Sequence, residues 1–220
     1  MVSTTTKEDF EEQGEHLGTH RDADDAIPVT MAPHPMAHRK AVNRAITVYV
    51  FAFVICYSLY FTFYTAPAPV WFHLHPLIAG LGFYSLSIYA ILLKKENKTR
   101  RHSYVMFIAS AAAALGVWVA YQDKSSRGKS HFVSTHAQFG LAALMLMVAY
   151  PFLSWVLLNP DNGIAVGNSA IRKSHRWLGQ SIMIVTLIAL GYGLAKYEKN
   201  QYMLALLVFA MGCVSPWVLR

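Results

Sequence analysis

Charge is scarce in this sequence. Charged residues make up 14 % of the 220, against about 25 % in an ordinary soluble domain. With 55 % apolar and 13 % aromatic residues, that deficit excludes a disordered chain and argues against a soluble enzyme. Acids are scarcer still where the chain is apolar. Eight of the twelve Asp and Glu (Glu8, Asp9, Glu11, Glu12, Glu15, Asp22, Asp24 and Asp25) lie within residues 1–30. No apolar stretch read from the sequence contains one, which argues against a proton pump or ion transporter built on carboxylate relays. It also removes the Glu-rich helices that a di-iron site needs. Two cysteines exclude a disulfide scaffold and a Cys-rich zinc module. Cys56 and Cys213 are expected only to pack.

What is present is membrane-like. The length suits one domain. Residues 1–30 carry a net −6, so the rest of the chain carries +13 of the overall +7. Those positive residues sit in short connections between apolar runs, a pattern of membrane topology; no nucleic-acid motif is visible. Residues 1–40 read as a polar, mobile cytosolic tail. They lack the h-region of a cleavable signal, and their acidity is unlike a mitochondrial transit peptide. Pro28, Pro33 and Pro35 oppose a long helix there. The tail histidines His16, His20, His34 and His38 read as solvated.

A spanning helix needs about 20 mostly apolar residues. Six runs qualify, at 45–65, 70–93, 103–121, 134–158, 174–195 and 201–219. The expected fold is all-α: a polytopic six-helix bundle over residues 41–220, with no obvious internal repeat. Both termini then share one side. That side receives Arg39, Lys40, Arg44, Lys94, Lys95, Lys98, Arg100, Arg101, Arg172, Lys173, Arg176 and Arg220, twelve positives against five (Lys124, Arg127, Lys129, Lys196, Lys199) on the other. The positive-inside rule makes it cytosolic.

Beyond the tail there are six histidines, and four stand near the starts of successive spans: His75, His102, His136 and His175. Antiparallel helices alternate the faces at which they begin. His75 and His136 therefore share a level near the non-cytosolic face, and His102 and His175 share one near the cytosolic face. Intramembrane ionisable residues are costly and usually functional. Catalytic zinc would want a third protein ligand. Two imidazoles from facing helices, with no carboxylate or thiolate nearby, fit the axial positions of a six-coordinate haem iron. Gly140 and Gly179 stand one turn after His136 and His175, and Ala79 one turn after His75. Such small residues suit a flat macrocycle or close helix contact. Met106 holds that place after His102. His73 competes with His75, but residues two apart point to different faces of a helix. His131, just before the fourth span, reads as a solvated loop residue, with contact to an acceptor or to a haem propionate as the other readings.

The segment Gly128–Leu141, GKSHFVSTHAQFGL, is similar to the GKAHLVTRHGQAGL-type segment of the cytochrome b561 family of transmembrane electron carriers. The His75-Pro76 pair resembles the family's His-Pro, and the intervals of 34 residues from His102 to His136 and 39 from His136 to His175 agree with its spacing. The resemblance covers about residues 45–219 and is nearest to the family's 101F6-like (D2-type) branch. The 27 residues from His75 to His102 are fewer than usual there.

The resemblance implies two haem b groups, one between His75 and His136 and one between His102 and His175. It implies electron transfer from a cytosolic reductant, ascorbate, to monodehydroascorbate or ferric iron on the far side. The basic residues Lys94, Lys95, Lys98, Arg100, Arg101, Arg172 and Lys173 are read in two ways: as a docking surface for the anionic reductant, or as residues that only set topology and bind lipid head groups or haem propionates. Lys124, Arg127, Lys129 and His131 are the expected contacts on the far side. Expected surroundings are the lipid bilayer of an endomembrane vesicle or the endoplasmic reticulum, with a homodimer or a larger redox complex as open partners. Two other classes stay open: a haem-bearing anchor subunit of a redox complex, and a non-haem transporter or structural protein.

Overall fold

A computed structural model describes residues 35–64, 70–161, 163–197 and 211–212, and among these no strand occurs. The elements are α1 (Pro35–Tyr64), α2 (Val70–Gly80), a π-helical segment (Leu81–Leu86), α3 (Ser87–Lys95), α4 (Thr99–Ser126), α5 (Thr135–Leu158) and α6 (Ser169–Tyr197). The π segment fuses α2 and α3 into one span. Among the described residues, five helices are thus long and apolar enough to cross a bilayer: Ala37–Phe63, Trp71–Lys95, Thr99–Ser126, Thr135–Leu158 and Ser169–Lys196. They correspond to the first five spans read from the sequence. The sixth, at 201–219, lies outside the described residues except for Met211 and Gly212, as do residues 1–34 of the tail and Cys213.

Two boundaries differ from the reading. Helix α1 begins at Pro35, inside the segment assigned to the tail. Proline suits a first helical position, where its missing N–H has no acceptor to serve. Helix α4 runs on to Ser126 and so includes Asp123, a carboxylate that the apolar run had left out. Polar helix ends project past the hydrocarbon without penalty, so hydropathy alone underestimates their length.

Local chemistry fixes the turns. Asn97, at φ 63°, takes the left-handed turn between α3 and α4, and Lys98 N–H donates to Leu93 C=O at 3.0 Å. Ser134 caps α5 through the Ala137 N–H, and Asn168 Oδ1 accepts from the N–H groups of Ala170 and Ile171. Inside α5, Pro151 has no N–H to give the Met147 carbonyl. The Ser110 hydroxyl from α4 serves that carbonyl instead, at 2.6 Å.

Among the described spans the fused one is the most buried: 61 % of its apolar stretch is buried, against 17–28 % for the other four. The others expose large apolar residues such as Trp118, Phe152 and Trp177. Two glycines allow α4 to lie against the central span. A Cβ on Gly82 would sit 2.3 Å from the Ala113 nitrogen, and one on Gly116 would sit 2.5 Å from the Ala79 nitrogen. Backbone meets backbone at both points.

At the α3–α4 turn, Glu96 accepts from Lys98 Nζ (2.6 Å) and from buried Asn43 on α1 (3.1 Å). The Lys98 hydrogen bond, helped by Asn43, holds the Glu96 carboxyl below its ordinary pKa. A depressed carboxyl pKa gives stability that is present above the unfolded value and lost as pH falls through the folded one. Lys98 is largely exposed, so Glu96→Gln should destabilise at neutral pH by less than about 1 kcal/mol. That difference should vanish in acid thermal melts.

Candidate functional site

The four histidines come together as two pairs. The rings of His75 and His136 have centroids 6.1 Å apart with an interplanar angle of 72°. Those of His102 and His175 are 6.5 Å apart at 86°. His75 lies on α2, His102 on α4, His136 on α5 and His175 on α6, so each pair joins the fused span or α4 to α5 or α6.

Each ring is aimed by a bond from Nδ1. In His75 it goes to the Gly116 carbonyl on α4, in His102 to the Ala90 carbonyl on α3, and in His136 to the Ala189 carbonyl on α6, each at 2.8 Å. His175 Nδ1 meets the Tyr150 hydroxyl on α5 at 2.7 Å and Ser154 Oγ at 3.1 Å. A carbonyl only accepts, so the first three Nδ1 atoms carry the proton and Nε2 keeps a free lone pair, the tautomer of a metal-binding histidine.

The bonds follow one rule. Fourteen residues after His102 comes Gly116, fourteen after His136 comes Tyr150, fourteen after His175 comes Ala189, and fifteen after His75, across the π segment, comes Ala90. Fourteen residues are close to four helical turns, so each histidine and the acceptor it offers its neighbour share a face. The bonds are reciprocal within two hairpins: α2/α3 with α4, and α5 with α6. This is the internal repeat that the sequence did not display.

Do these residues fit a haem? An imidazole nitrogen lies about 2 Å from a first-row metal, and about 1 Å from its own ring centre. Two imidazoles on opposite sides of one metal thus have centroids about 6 Å apart, as both pairs do. No third His, Cys, Asp or Glu joins either pair among the described residues, which suits a macrocycle filling the other four positions.

Space for it is present beside the His75/His136 pair. A largely apolar cavity, partly open to the surroundings, lies there. Ala79, Gly80, Gly140 and Gly193 form part of its wall. A Cβ on Gly140 would meet nothing within 4 Å, whereas one on Gly193 would lie 2.8 Å from the His136 ring. Gly179, one turn after His175, is open in the same way as Gly140. Gly140→Leu should therefore fill the cradle without straining the protein. The expected result is loss of more than half of the haem at the His75/His136 site with an unchanged melting point of the haem-free chain, read by haem-to-protein ratio and thermal scan.

The His73 ring contacts Phe61 edge-on. His131 differs from the expected solvated loop residue. It is half-buried, stacked on Tyr121 at 4.0 Å, within reach of Ser125 Oγ, and lines the cavity with Lys124 and Lys196. Phe132, with a left-handed backbone at φ 54°, also lines the cavity. Lys129 is exposed on the same loop.

On the other face the expected docking surface is only partly available. Lys98 is engaged by Glu96, Arg100 by Asp161, and Lys94 by Thr99. Arg101, Arg172 and Lys173 are exposed, and Lys95 is half-buried.

Asp123 was missed. Its carboxylate is 1 % exposed and pairs with Arg127 one turn on. The Arg127 guanidinium lies 6.0 Å from the Phe72 ring centre, and Phe72 stacks on His75 at 5.7 Å. Breaking a fully buried pair costs about 3–5 kcal/mol. Arg127 is 34 % exposed, so Asp123→Asn should cost about 2 kcal/mol, seen as a lower thermal midpoint.

The fold and site together define an all-helical, multi-pass integral membrane protein with two facing imidazole pairs near opposite ends of its bundle. Residues 72–200, more than half of the chain, match the family described as eukaryotic cytochrome b561, and the chain belongs to that family. Membership implies haem b. One relative is the transmembrane reductase CYB561D2 of Homo sapiens, 29 % identical over 103 residues; the match covers 40 % of this chain and 46 % of the relative. The chain thus spans less than half the length of the curated relative it matches.

Proposed function

We propose that this chain holds two haem b groups, on His75/His136 and on His102/His175, and transfers electrons across the bilayer. The donor is a small anionic reductant in the cytosol, ascorbate; the acceptor, on the other side, is monodehydroascorbate or ferric iron. The observation that carries this reading is the pair of ring separations, 6.1 and 6.5 Å, with every Nδ1 already engaged. Family membership and the relative's name, a transmembrane reductase, support it.

Haem iron held by these imidazole pairs would supply reversible one-electron chemistry. The chain's residues do the rest. The three backbone carbonyls and Tyr150 hold the rings in place, so the ligands need no rearrangement when the iron's charge changes. From His102 to Gly116 on α4, and from His175 to Ala189 on α6, the fourteen-residue rise is about 21 Å. That rise supports one pair lying towards each face of a hydrocarbon core about 30 Å thick. Exposed Arg101, Arg172 and Lys173 would attract the anionic donor on the cytosolic side, which also takes both termini. Lys124, Lys129, Lys196 and His131 would meet the acceptor at the cavity rim.

Purified chain in detergent should contain two haems per polypeptide and be reduced by ascorbate in stopped-flow mixing. Colourless, folded material would sink the haem reading. Two haems that dithionite reduces and ascorbate does not would instead overturn the assigned donor.

A further inference from the structure

We propose that Tyr150 is a positioning residue that sets the reduction potential of the His102/His175 centre apart from that of the other. The inference rests on the haem reading above. Its basis is the one acceptor at these spacings that is a side chain and not a backbone carbonyl. Ala90, Gly116 and Ala189 are small, so a neighbouring imidazole reaches their backbone carbonyls. Tyr150 occupies the equivalent place on α5 with a large side chain, and its own hydroxyl replaces the carbonyl.

The proton inventory is fixed by the geometry. The Tyr150 hydroxyl donates its single proton to the His175 carbonyl at 2.6 Å. Its oxygen is then an acceptor towards His175 Nδ1, so Nδ1–H donates, with Ser154 Oγ as a second, longer acceptor. The phenol ring also lies nearly parallel to the imidazole, at 5.2 Å and 20°. Orientation of His175 thus depends on one side chain through two bonds and a stack.

An acceptor on Nδ1–H raises the basicity of the ligating nitrogen and favours ferric over ferrous iron. A hydroxyl oxygen accepts less strongly than an amide carbonyl. Of the four rings, His175 therefore donates least to its iron, and the centre it serves is the easier to reduce. Both histidines of the other centre rest on carbonyls.

The test is a spectroelectrochemical titration of the full chain carrying both haems. Tyr150→Phe keeps the ring and removes the acceptor. It should raise the midpoint of the His102/His175 centre, and Tyr150→Phe with Ser154→Ala should raise it further, by about tenfold in the oxidised-to-reduced ratio, or about 59 mV for one electron. The other midpoint should stay put, and the low-field electron paramagnetic resonance signal of only one centre should move. His102→Ala identifies which midpoint is which. If Tyr150→Phe loses that haem, Ser154→Ala, which leaves the phenol in place, must still shift the same midpoint upward. Two haems with both midpoints unmoved in the double variant, or moved equally, would overturn the inference and leave the function intact. Absence of haem from the unaltered chain would remove both.

Discussion

With two haems as proposed, His136→Ala should leave one per chain, and His75→Ala should remove the same one. The rings face each other at 6.1 Å, with no other His, Cys, Asp or Glu gathered with them among the described residues, so neither holds a six-coordinate iron alone. Three further variants sharpen the result. His75→Ala with His136→Ala should lose no more than either single change, because residues acting as a unit are non-additive. His136→Ala with His175→Ala should lose both haems. His73→Ala should lose none. Haem content of purified protein reads all five. Loss of one common haem by His75→Ala and His102→Ala would contradict the pairing.

The second large effect is expected at a residue with no side chain. Gly116→Val should lower stability by about 3 kcal/mol or more, as overpacking does where the facing atoms cannot yield. Here they are the nitrogen and Cα of Ala79, 2.5 and 2.7 Å from where the Cβ would stand. The same carbonyl holds His75, so the change should also remove the His75/His136 haem and spare the other. Gly179→Val, with open space beside it, should leave the fold unchanged and affect only the His102/His175 site. Thermal scans paired with haem content separate the two outcomes. Equal destabilisation by both would mean that the α2–α4 approach is not as close as described.

The histidines were legible because they sit at helix starts and antiparallel helices alternate. Those two facts pair His75 with His136 and His102 with His175 without reference to packing. The five described spans were legible for the same reason that a bilayer needs apolar length. The acceptors of the Nδ1 protons were not. Ala90, Gly116 and Ala189 act through backbone atoms, which no residue type announces, and only the fourteen-residue interval from a histidine hinted at them. Tyr150 read as one more aromatic in an aromatic-rich chain. Asp123 fell beyond the apolar run that defined its helix. The π segment was invisible too: it changes helical phase by way of backbone bonds, and the sequence Leu81–Leu86 carries no mark of it.

The reciprocal bonds lie inside the hairpins, whereas the facing imidazoles lie between them. Aim and clearance are therefore governed by different parts of the molecule. Each hairpin contains the bonds that orient its own two ligands. How the halves dock then decides only the gap between opposing nitrogens. A prosthetic group entering late in biogenesis would meet rings already turned towards it, and its departure would leave them so.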